Sequence, residues 1–461
     1  MRLLVKDMIK EVGNAAEVEV CGWVHRIREL GGITFVILRD RSGLLQLVCS
    51  DEAAGDRDGP CTAHGESPSG TGPLTLESVI RARGIPAANE KAPGGVELRV
   101  RSLEIISRAE GDLPYQVNGD SSKVGLEALL DNRALSLRNP KIRAIFKIQA
   151  AIIEAFSAYL RSQDFTEIKT SKLVGGGTEG GAELFEVEYF DRKVYLAQSP
   201  QIYKQIMVAS GLERVFEVAP AYRAEKHDTP RHLNEYVSLD VEMGFIESEL
   251  DLIELEKGLL SYIFAELERK NRAELDLWNA AVPDAASVAG APVIPYEEAV
   301  KLANAEAAKA RGGGGRIFDI NPEAERLLCE WALREKGTDL VFVNRFPRRY
   351  RPFYAYPWAS GTSVEAAGEG AVFTMSFDAL FRGLEITTGG RRQHDYQALL
   401  EALPKFGLKE EDIAGYRVFK YGCPPHGGFA IGCERLTQKI LGLANVKEAS
   451  LFPRDRKRVS P

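Results

Sequence analysis

Val215-Phe-Glu-Val-Ala219 and Val237-Ser-Leu-Asp-Val-Glu-Met243 are two runs with β-branched residues and period-two alternation, a pattern that predicts two β-strands. The segment between them carries an arginine near each strand, in Arg223-Ala-Glu225 and in Arg231-His-Leu-Asn-Glu235. Two strands with an arginine on each arm can hold a triphosphate from two sides. The alternative is a solvated hairpin on which each arginine only pairs with a neighbouring glutamate, Glu225 or Glu235.

A second arginine site near the C-terminus favours the phosphate-binding interpretation. A glycine-rich strand, Gly427-Gly-Phe-Ala-Ile-Gly-Cys-Glu-Arg435, runs into a short apolar helix at Leu436-Thr-Gln-Lys-Ile-Leu-Gly442. Glycine lets the backbone approach a ligand closely, and a helix N-terminus favours phosphate. Arg435, in the first turn of this helix, is therefore a further candidate phosphate ligand.

The composition limits the class of protein. A chain of 461 residues is long enough for two or three domains. The net charge of −7 argues against general polyanion binding, so any nucleic acid must meet a local basic face; candidates are Arg26, Arg28, Arg39 and Arg41. The six histidines show no metal-ligand spacing, and no apolar run approaches the roughly 20 residues that span a bilayer. These features predict a soluble, cytoplasmic protein without a zinc centre.

The first hundred residues predict a small β-barrel. Short alternating runs at 17–24, 34–39, 43–48 and 96–100 are separated by turn residues, which is typical of an OB-fold barrel. A stretch rich in Gly, Ser, Pro and Asp at 53–73 predicts an insertion between strands. Further along, antiparallel strands with helices around them, and no GxGxxG after a strand, favour an α+β domain over a Rossmann domain.

Several ordered blocks of sequence resemble one protein family. The segments 223–242 and 428–435 resemble the second and third motifs of class II aminoacyl-tRNA synthetases. The closer resemblance is to the archaeal-type aspartyl-tRNA synthetases, through Glu179-Gly-Gly-Ala-Glu-Leu-Phe185, Gln198-Ser-Pro-Gln-Ile-Tyr-Lys204, Arg231-His-Leu-Asn-Glu235, Tyr421-Gly-Cys-Pro-Pro-His-Gly-Gly428 and Phe452-Pro-Arg-Asp-Arg-Lys-Arg458. The resemblance covers essentially the whole chain.

This resemblance implies a domain organisation and an assembly. It implies an OB-fold anticodon-binding domain at 1–105, a linker at 106–135, and an α+β catalytic domain at 136–461 with an insertion near 280–340. The catalytic domain of the family is built on an antiparallel β-sheet flanked by helices. The helix and strand at 138–170 resemble the first motif, which lies at the dimer interface, so a homodimer is expected, although Ser171 replaces the usual proline.

The resemblance also implies the chemistry of the site, which is ATP-dependent activation of L-aspartate. Arg223, Glu225 and Arg435 are the expected catalytic residues. ATP is expected at Arg223, Ala224, Glu225, Arg231, His232, Leu233, Glu385, Gly432, Cys433, Glu434 and Arg435. Aspartate is expected at Glu179, Gln201, Lys204, Arg223, Thr388 and Arg392, and Mg²⁺ at Glu385 and Thr388, where the family usually has serine. Because Arg391 replaces a usual glutamine, either Arg391 or Arg392 could read the substrate side chain.

The resemblance places tRNA recognition in the barrel. Phe35 and Gln46 are expected to stack on and hydrogen-bond an anticodon base; a core phenylalanine and an exposed glutamine are the alternative. His25 and Pro93 stand where forms restricted to tRNA(Asp) tend to have tryptophan and lysine. These two residues suggest the relaxed bacterial form, which attaches aspartate to both tRNA(Asp) and tRNA(Asn). In that form a separate amidotransferase later amidates the aspartate on tRNA(Asn).

Four other functions stay open at this point. A discriminating aspartyl-tRNA synthetase would differ only in its tRNA set, and an asparaginyl-tRNA synthetase would share the ATP chemistry but is disfavoured by Arg392. A tRNA-independent asparagine synthetase would lack the barrel. A non-catalytic paralogue is disfavoured by Arg223, Glu225, Glu385 and Arg435 together, although Lys226, often acidic in the family, is a departure.

Overall fold

The computed structural model describes residues 2–14, 16–50, 74–176, 184–311, 316–358 and 372–460. The proposed insertion at 53–73, the expected aspartate ligand Glu179 and the glycine run at 312–315 lie outside these residues. The described chain divides into two compact units, Met1–Leu135 and Ser136–Pro461. Each unit is described separately below.

The first unit is a closed barrel. Its six strands are β1 Arg2–Leu3, β2 Val18–Leu30, β3 Ile33–Arg39, β4 Leu44–Ser50, β5 Val79–Ala88 and β6 Val96–Ser107. They hydrogen-bond in the order β1-β2-β3-β4-β6-β5, and β2 also pairs with β5, which closes the sheet on itself. Two short helices follow, α1 Leu126–Asp131 and α2 Arg133–Ser136. The predicted OB-fold is confirmed.

Strand β5 was not expected from the sequence, because Gly84 and Pro86 interrupt its alternation and such residues weaken a strand prediction. The structure explains the glycine. A Cβ atom at Gly84 would lie 2.0 Å from the carbonyl oxygen of Arg99 on β6, at a register shift in this strand pair. Only glycine permits that approach, and the bulge helps the barrel to bend.

The second unit contains thirteen described strands around one large sheet. Its strands are β7 Thr166–Glu167, β8 Leu173–Val174, β9 Glu186–Tyr189, β10 Arg192–Leu196, β11 Arg214–Tyr222, β12 Glu235–Gly244, β13 Val293–Pro295, β14 Leu340–Asn344, β15 Pro357–Trp358, β16 Phe373–Thr374, β17 Ser376–Phe381, β18 Leu384–Arg392 and β19 His426–Gly432. Its helices are α3 Pro140–Ser162, α4 Gln201–Met207, α5 Glu249–Lys270, α6 Arg272–Leu277, α7 Ala285–Ala289, α8 Tyr296–Arg311, α9 Pro322–Lys336, α10 Tyr396–Ala402 and α11 Cys433–Leu441.

The large sheet has eight strands in the order β13-β14-β17-β18-β19-β12-β11-β7. The six strands from β14 to β11 are antiparallel, as predicted. The two outermost strands pair in parallel, β13 with β14 and β7 with β11, so the sheet is mixed rather than wholly antiparallel. Of these edge strands, β7 lies within the helix and strand predicted at 138–170, whereas β13, with three residues, is too short for a pattern of alternation to reveal it.

One face of this sheet is covered by helices and the other carries a cavity. On β12, Leu239 and Val241 lie in the hydrophobic core with residues of α3 and α5, whereas Ser238 and Asp240 line the cavity. Helix α3 begins at an Asn139 cap that accepts from the Lys141 amide, with Pro140 at its first position. The apolar stripe of α3 faces the sheet. Because the side chains of β12 alternate between the two faces of the sheet, Leu239 and Val241 pack in the core while Ser238 and Asp240 face the cavity.

The stretch at 280–340 is folded into the second unit. Helices α8 and α9 pack on the β13 and β14 edge through a smaller apolar cluster that includes Leu328, Val341 and Val343. Among the described residues, no helix combines the length and the apolar character needed to cross a membrane.

Candidate active site

A cavity of about 570 Å³ lies on the open face of the large sheet. Its lining includes thirteen of the residues expected at the site: Gln201, Lys204, Arg223, Glu225, Arg231, His232, Leu233, Glu385, Thr388, Arg392, Gly432, Glu434 and Arg435. The described lining does not include Ala224, or Cys433, whose side chain is fully buried. Glu179 lies outside the described residues.

One end of the cavity contains a buried network of two cations and two carboxylates. Arg392 is 7% exposed; its Nε donates to Glu242 Oε1 at 3.1 Å and its Nη2 to the Gly428 carbonyl at 2.9 Å. Lys204 Nζ donates to Asp240 Oδ1 at 2.9 Å and lies 3.3 Å from Glu242 Oε2. Burial opposes ionisation of Glu242, but the charges of Arg392 and Lys204 outweigh it and lower the pKa of this carboxyl. The network is thus charged and pre-ordered before any ligand arrives.

The two neighbouring arginines on β18 have different surroundings. Arg392 belongs to the buried network, where its Nη2 also reaches Gln201 Oε1 at 3.4 Å. Arg391 Nη1 donates to the Glu247 carbonyl at 2.6 Å, and its guanidinium stacks 4.1 Å from the centre of the Tyr356 ring. Both arginines line the cavity, but the Arg392 guanidinium is the one that lies at the Lys204 end, where both cations contact Glu242.

Three buried polar atoms at this end have no hydrogen-bond partner among the described residues: Asp240 Oδ2, Gln201 Nε2 and Glu242 Oε2. Glu242 Oε2 lies 3.3 Å from Lys204 Nζ, whereas Asp240 and Gln201 line the cavity. Unsatisfied buried polar atoms are costly and uncommon, so a ligand that supplies a donor to Asp240 and an acceptor to Gln201 fits here. Asp240 was not anticipated from the sequence. The signal available for it was an acidic residue at an alternating position of an otherwise apolar strand.

The other end of the cavity gathers the candidate phosphate ligands. Arg231 Nη2 donates to both carboxylate oxygens of Glu325, at 2.7 and 2.5 Å. Arg435 Nη1 donates to the Glu385 carbonyl at 3.0 Å and lies 3.5 Å from Glu385 Oε1. The hairpin hypothesis is wrong for Arg231, because its partner comes from helix α9, 94 residues away in sequence, and not from Glu235.

Glu325 was not anticipated from the sequence, since α9 lies in a stretch without a recognisable motif. Its carboxylate is 5% exposed and also accepts from the Glu385 amide at 3.1 Å. Burial raises the pKa of this carboxyl, and the Arg231 guanidinium opposes that rise. Glu325 thus connects Arg231 to the β18 backbone.

His232 lies between Glu225 and Thr229. Its Nε2 is 3.5 Å from Glu225 Oε2, and its Nδ1 is 2.6 Å from Thr229 Oγ1. Burial lowers the pKa of His232, which favours the neutral ring. A neutral imidazole held at both nitrogens suits a contact residue better than a proton carrier.

The candidate metal ligands lie side by side on β18. Thr388 Oγ1 donates to Glu385 Oε1 at 3.1 Å. The nearby carboxyl of Asp378 has its pKa raised to about 6, chiefly by burial, although Arg351 lies 2.8 Å away. In the described part of the chain no group of three or more His, Cys, Asp or Glu side chains converges on a metal position. The oxygen donors present suit a cation whose remaining ligands are substrate phosphates and water, as is usual for Mg²⁺.

The outer face of the barrel carries the residues expected to bind an anticodon. Strand register places Arg28, Phe35, Val48 and Arg99 in one row across β2, β3, β4 and β6. The adjacent row contains Arg26, Ile37, Gln46 and Glu97, and Gln46 Nε2 donates to Glu97 Oε2 at 3.2 Å. The alternating residues of β3 and β4, such as Val36 and Leu47, form the core. Phe35 and Gln46 are half-buried on one face, so Phe35 is not a core residue.

His25 and Pro93 lie at irregular points of the barrel. His25 falls at a β-bulge in β2, and its Nδ1 is 3.1 Å from Arg39 Nη1. Burial lowers the pKa of His25. Arg39 is itself buried and held by Glu77 at 2.7 Å. Pro93 begins a 3-10 turn, Pro93–Gly95, that contacts β4.

Comparison with known proteins gives consistent matches over the whole chain. Residues 125–456 match the family model of tRNA synthetases class II (D, K and N), and residues 18–106 match that of the OB-fold nucleic acid binding domain. The chain is 46% identical to the aspartate–tRNA(Asp/Asn) ligase of Thermus thermophilus and 45% identical to that of Deinococcus radiodurans, covering 100% of this chain and 99–100% of the relatives. Asparaginyl-tRNA synthetase from Pyrococcus horikoshii, solved with asparaginyl-adenylate, superposes with a TM-score of 0.85 at 28% identity over the full length of both chains.

Proposed function

We propose, since this chain belongs to the class II aminoacyl-tRNA synthetases, that it activates L-aspartate with ATP and attaches it to both tRNA(Asp) and tRNA(Asn). The observation that carries the choice of amino acid is the buried Arg392 guanidinium beside Lys204. Full-length relatives named aspartate–tRNA(Asp/Asn) ligase support the choice of tRNAs.

The first step joins the substrate carboxylate to the α-phosphate of ATP. The α-carboxylate is ionised at neutral pH and needs no general base. Its oxygen attacks the α-phosphorus, the bond between the α-phosphorus and the α,β-bridging oxygen breaks, and pyrophosphate leaves with the electron pair. Arg223, at the start of the loop after β11, neutralises charge on the five-coordinate phosphorus, while Arg231 and Arg435 hold the leaving phosphates. The protein therefore contributes mainly by positioning the two substrates and by neutralising negative charge on the phosphates.

The second step transfers the aspartyl group. A ribose hydroxyl at the 3′ end of the tRNA attacks the carbonyl carbon of aspartyl-adenylate, and AMP leaves. The chain contributes an ordered cavity that keeps the adenylate in place while the tRNA end enters.

Selection of aspartate over asparagine follows from the donor-rich end of the cavity. A side-chain carboxylate can accept from Arg392 and from Lys204 together. The amide nitrogen of asparagine would face these donors without an acceptor, and such a mismatch is costly when buried. Asp240 Oδ2 and Gln201 Nε2, which have no hydrogen-bond partner among the described residues, support this proposal, since the first can accept from the substrate ammonium and the second can donate to a substrate oxygen. Pyrophosphate exchange driven by asparagine instead of aspartate would contradict the assignment.

We also propose Mg²⁺ as the metal, held by Glu385 and Thr388. The carboxylate and hydroxyl are adjacent, and their hard oxygen atoms suit this ion. When bound, Mg²⁺ supplies positive charge to the triphosphate and helps to fix its geometry. The chain's own part is to orient Glu385, whose amide and carbonyl are held by Glu325 and Arg435.

The relaxed tRNA range is a prediction with a direct test. His25 and Pro93 replace the residues that favour restriction to tRNA(Asp). We expect purified transcripts of tRNA(Asp) and tRNA(Asn) to be aspartylated with kcat/KM values within about ten-fold of each other, a difference of about 1.4 kcal/mol. A loss of several hundred-fold on tRNA(Asn) would instead identify a discriminating enzyme.

Further partners complete the proposal. A homodimer is proposed from the resemblance of α3 and β7 to the interface motif of the family, and a cytoplasmic location from the enzyme's part in translation. Aspartyl-tRNA(Asn) would need amidation before use, so a tRNA-dependent amidotransferase is a proposed functional partner.

Glu325 is expected to support ATP binding through Arg231. Replacing Glu325→Gln keeps the size of the side chain but removes the charge that holds the guanidinium and weakens the contact to the Glu385 amide. We expect KM for ATP to rise about ten-fold in pyrophosphate exchange, equivalent to about 1.4 kcal/mol, with KM for aspartate unchanged.

The matched control for this prediction lies on the same helix. Glu330 is exposed, and its ion-pair partner among the described residues is Arg326, one helical turn away, so Glu330→Gln should leave both constants unchanged. An unaltered or lower KM for ATP in Glu325→Gln would show that the carboxylate does not support the ATP-bound position of Arg231.

A further inference from the structure

A strip of arginines and aromatic residues lies beside the mouth of the cavity in the second unit. It comprises Arg316, Phe318, Arg348, Arg349 and Tyr350, which we call the arginine-aromatic strip. Phe318 is 72% exposed and Tyr350 is 43% exposed, although both are large apolar rings. Exposed aromatic rings can stack on the bases of unpaired nucleotides while neighbouring arginines contact the phosphates.

Tyr296 contacts both segments of the arginine-aromatic strip. The hydroxyl oxygen of Tyr296, from α8, lies 3.5 Å from the Phe318 carbonyl oxygen, and the Tyr296 ring lies 6.1 Å from the Tyr350 ring. The Arg316 guanidinium lies 5.5 Å from the centre of the Phe318 ring. Two segments distant in sequence, 316–318 and 348–350, therefore meet on one tyrosine.

The second aromatic residue has its own arginine. Arg349 stacks 4.7 Å from the centre of the Tyr350 ring and donates from Nη2 to the Tyr350 hydroxyl at 3.1 Å. Both residues also line the cavity that holds the proposed adenylate site. The strip is thus continuous with the active site at this end.

The charge of the strip favours an anionic partner. No described carboxylate lies within ion-pair distance of Arg316, Arg348 or Arg349, whereas most arginines elsewhere in this unit have one. Arg348 is half-buried, and that burial lowers the pKa of its guanidinium. The acidic group beside the strip is Asp319, which accepts from Tyr296 at 2.9 Å. On a chain of net charge −7, three arginines without a described carboxylate partner form the local basic face that a nucleic acid requires.

We propose that the arginine-aromatic strip binds the single-stranded 3′ end of the tRNA and guides it into the cavity. Bases stack on Phe318 and Tyr350, and phosphates lie against the three arginines. A duplex hides the faces of its bases, so the geometry fits an unpaired strand. This inference rests on the proposed function, which makes the tRNA 3′ end a substrate of the cavity.

The test uses the double variant Arg316→Gln/Phe318→Ser, because neither residue lines the cavity. Pyrophosphate exchange, which requires no tRNA, should stay within two-fold of the wild-type rate. KM for tRNA in aspartylation should rise about five- to fifty-fold, as expected for the loss of one stacking ring and one phosphate contact. The matched control is Phe190→Ser/Arg192→Gln, which removes a 92% exposed ring and a nearby arginine from another part of the surface and should leave KM for tRNA unchanged.

A second measurement locates the contact on the tRNA. The dissociation constant is compared for intact tRNA and for tRNA lacking its four unpaired 3′ nucleotides. We expect the double variant to weaken binding of intact tRNA and to leave binding of the shortened tRNA unchanged. Equal weakening for both tRNAs, or no change in KM, would overturn the proposal. Failure of the wild-type enzyme to charge any tRNA would instead contradict the proposed function.

Discussion

Replacing Arg392→Leu is expected to lower kcat/KM for aspartate in pyrophosphate exchange by about 30- to several thousand-fold, equivalent to about 2–5 kcal/mol. The guanidinium is buried, donates to Glu242 and Gly428, and lies where the substrate carboxylate would enter. Leucine supplies no hydrogen-bond donor. The side-chain carboxylate of the substrate would therefore lose its water on binding, with Lys204 as its remaining cationic partner. KM for ATP should change little, because Arg231 and Arg435 lie at the other end of the cavity.

The matched control is the neighbouring residue. Arg391→Leu removes a guanidinium of the same size from the same strand, but one that contacts the Glu247 carbonyl and the Tyr356 ring. We expect this variant to retain aspartate activation within a few-fold. A thermal melt of both variants separates a folding defect from a binding defect. We expect Arg392→Leu to stay folded, because Glu242 keeps Lys204 as an ion-pair partner. The assignment of Arg392 would fail if Arg391→Leu were inactive and Arg392→Leu folded and active.

The elements that the sequence predicted are those whose own pattern is complete within a few residues. The sequence alternates over 215–219 within β11 and over 237–243 within β12, and β19 runs directly into α11, so each could be identified locally. The placement of Arg435 in the first turn of α11 followed in the same way. Phe35 and Gln46 could be placed on neighbouring strands because β3 and β4 are joined by a short turn, although the register sets Phe35 opposite Val48 and Gln46 opposite Ile37.

The features that the sequence did not reveal depend on contacts between distant segments. Glu325 meets Arg231 across 94 residues, and nothing in the composition of α9 indicates which of its acidic residues faces the site. Asp240 is distinguished only by its burial and by an oxygen without a partner in the described chain. Strand β5 was hidden by a glycine that the approach of Arg99 requires. In each case the constraint comes from packing, which a local pattern does not contain.

The variant Arg223→Gln is expected to lower kcat for aspartate activation by about 100- to 1,000-fold, equivalent to about 2.7–4 kcal/mol. Its charge is proposed to act on the five-coordinate phosphorus, so the loss should appear in kcat more than in KM for ATP. The backbone of Arg223 is fixed in advance. Its amide donates to the Asn234 carbonyl at 2.9 Å, and its carbonyl accepts from Asn234 Nδ2 at 2.8 Å. Its guanidinium lies 5.6 Å from the centre of the Tyr236 ring. A donor held this way contributes without reorganisation, which is the condition for a large electrostatic effect.

Arg214, at the opposite end of β11, provides the control for this variant. It is exposed, and its Nη1 donates to the Gln163 carbonyl at 3.1 Å, remote from the cavity lining. Arg214→Gln should therefore keep kcat within two-fold. Single-turnover formation of aspartyl-adenylate, followed at saturating ATP and aspartate, reports the chemical step directly. If Arg223→Gln raised KM for ATP with kcat unchanged, Arg223 would bind the ground-state nucleotide rather than the transition state, and charge stabilisation at the α-phosphorus would have to come from another group.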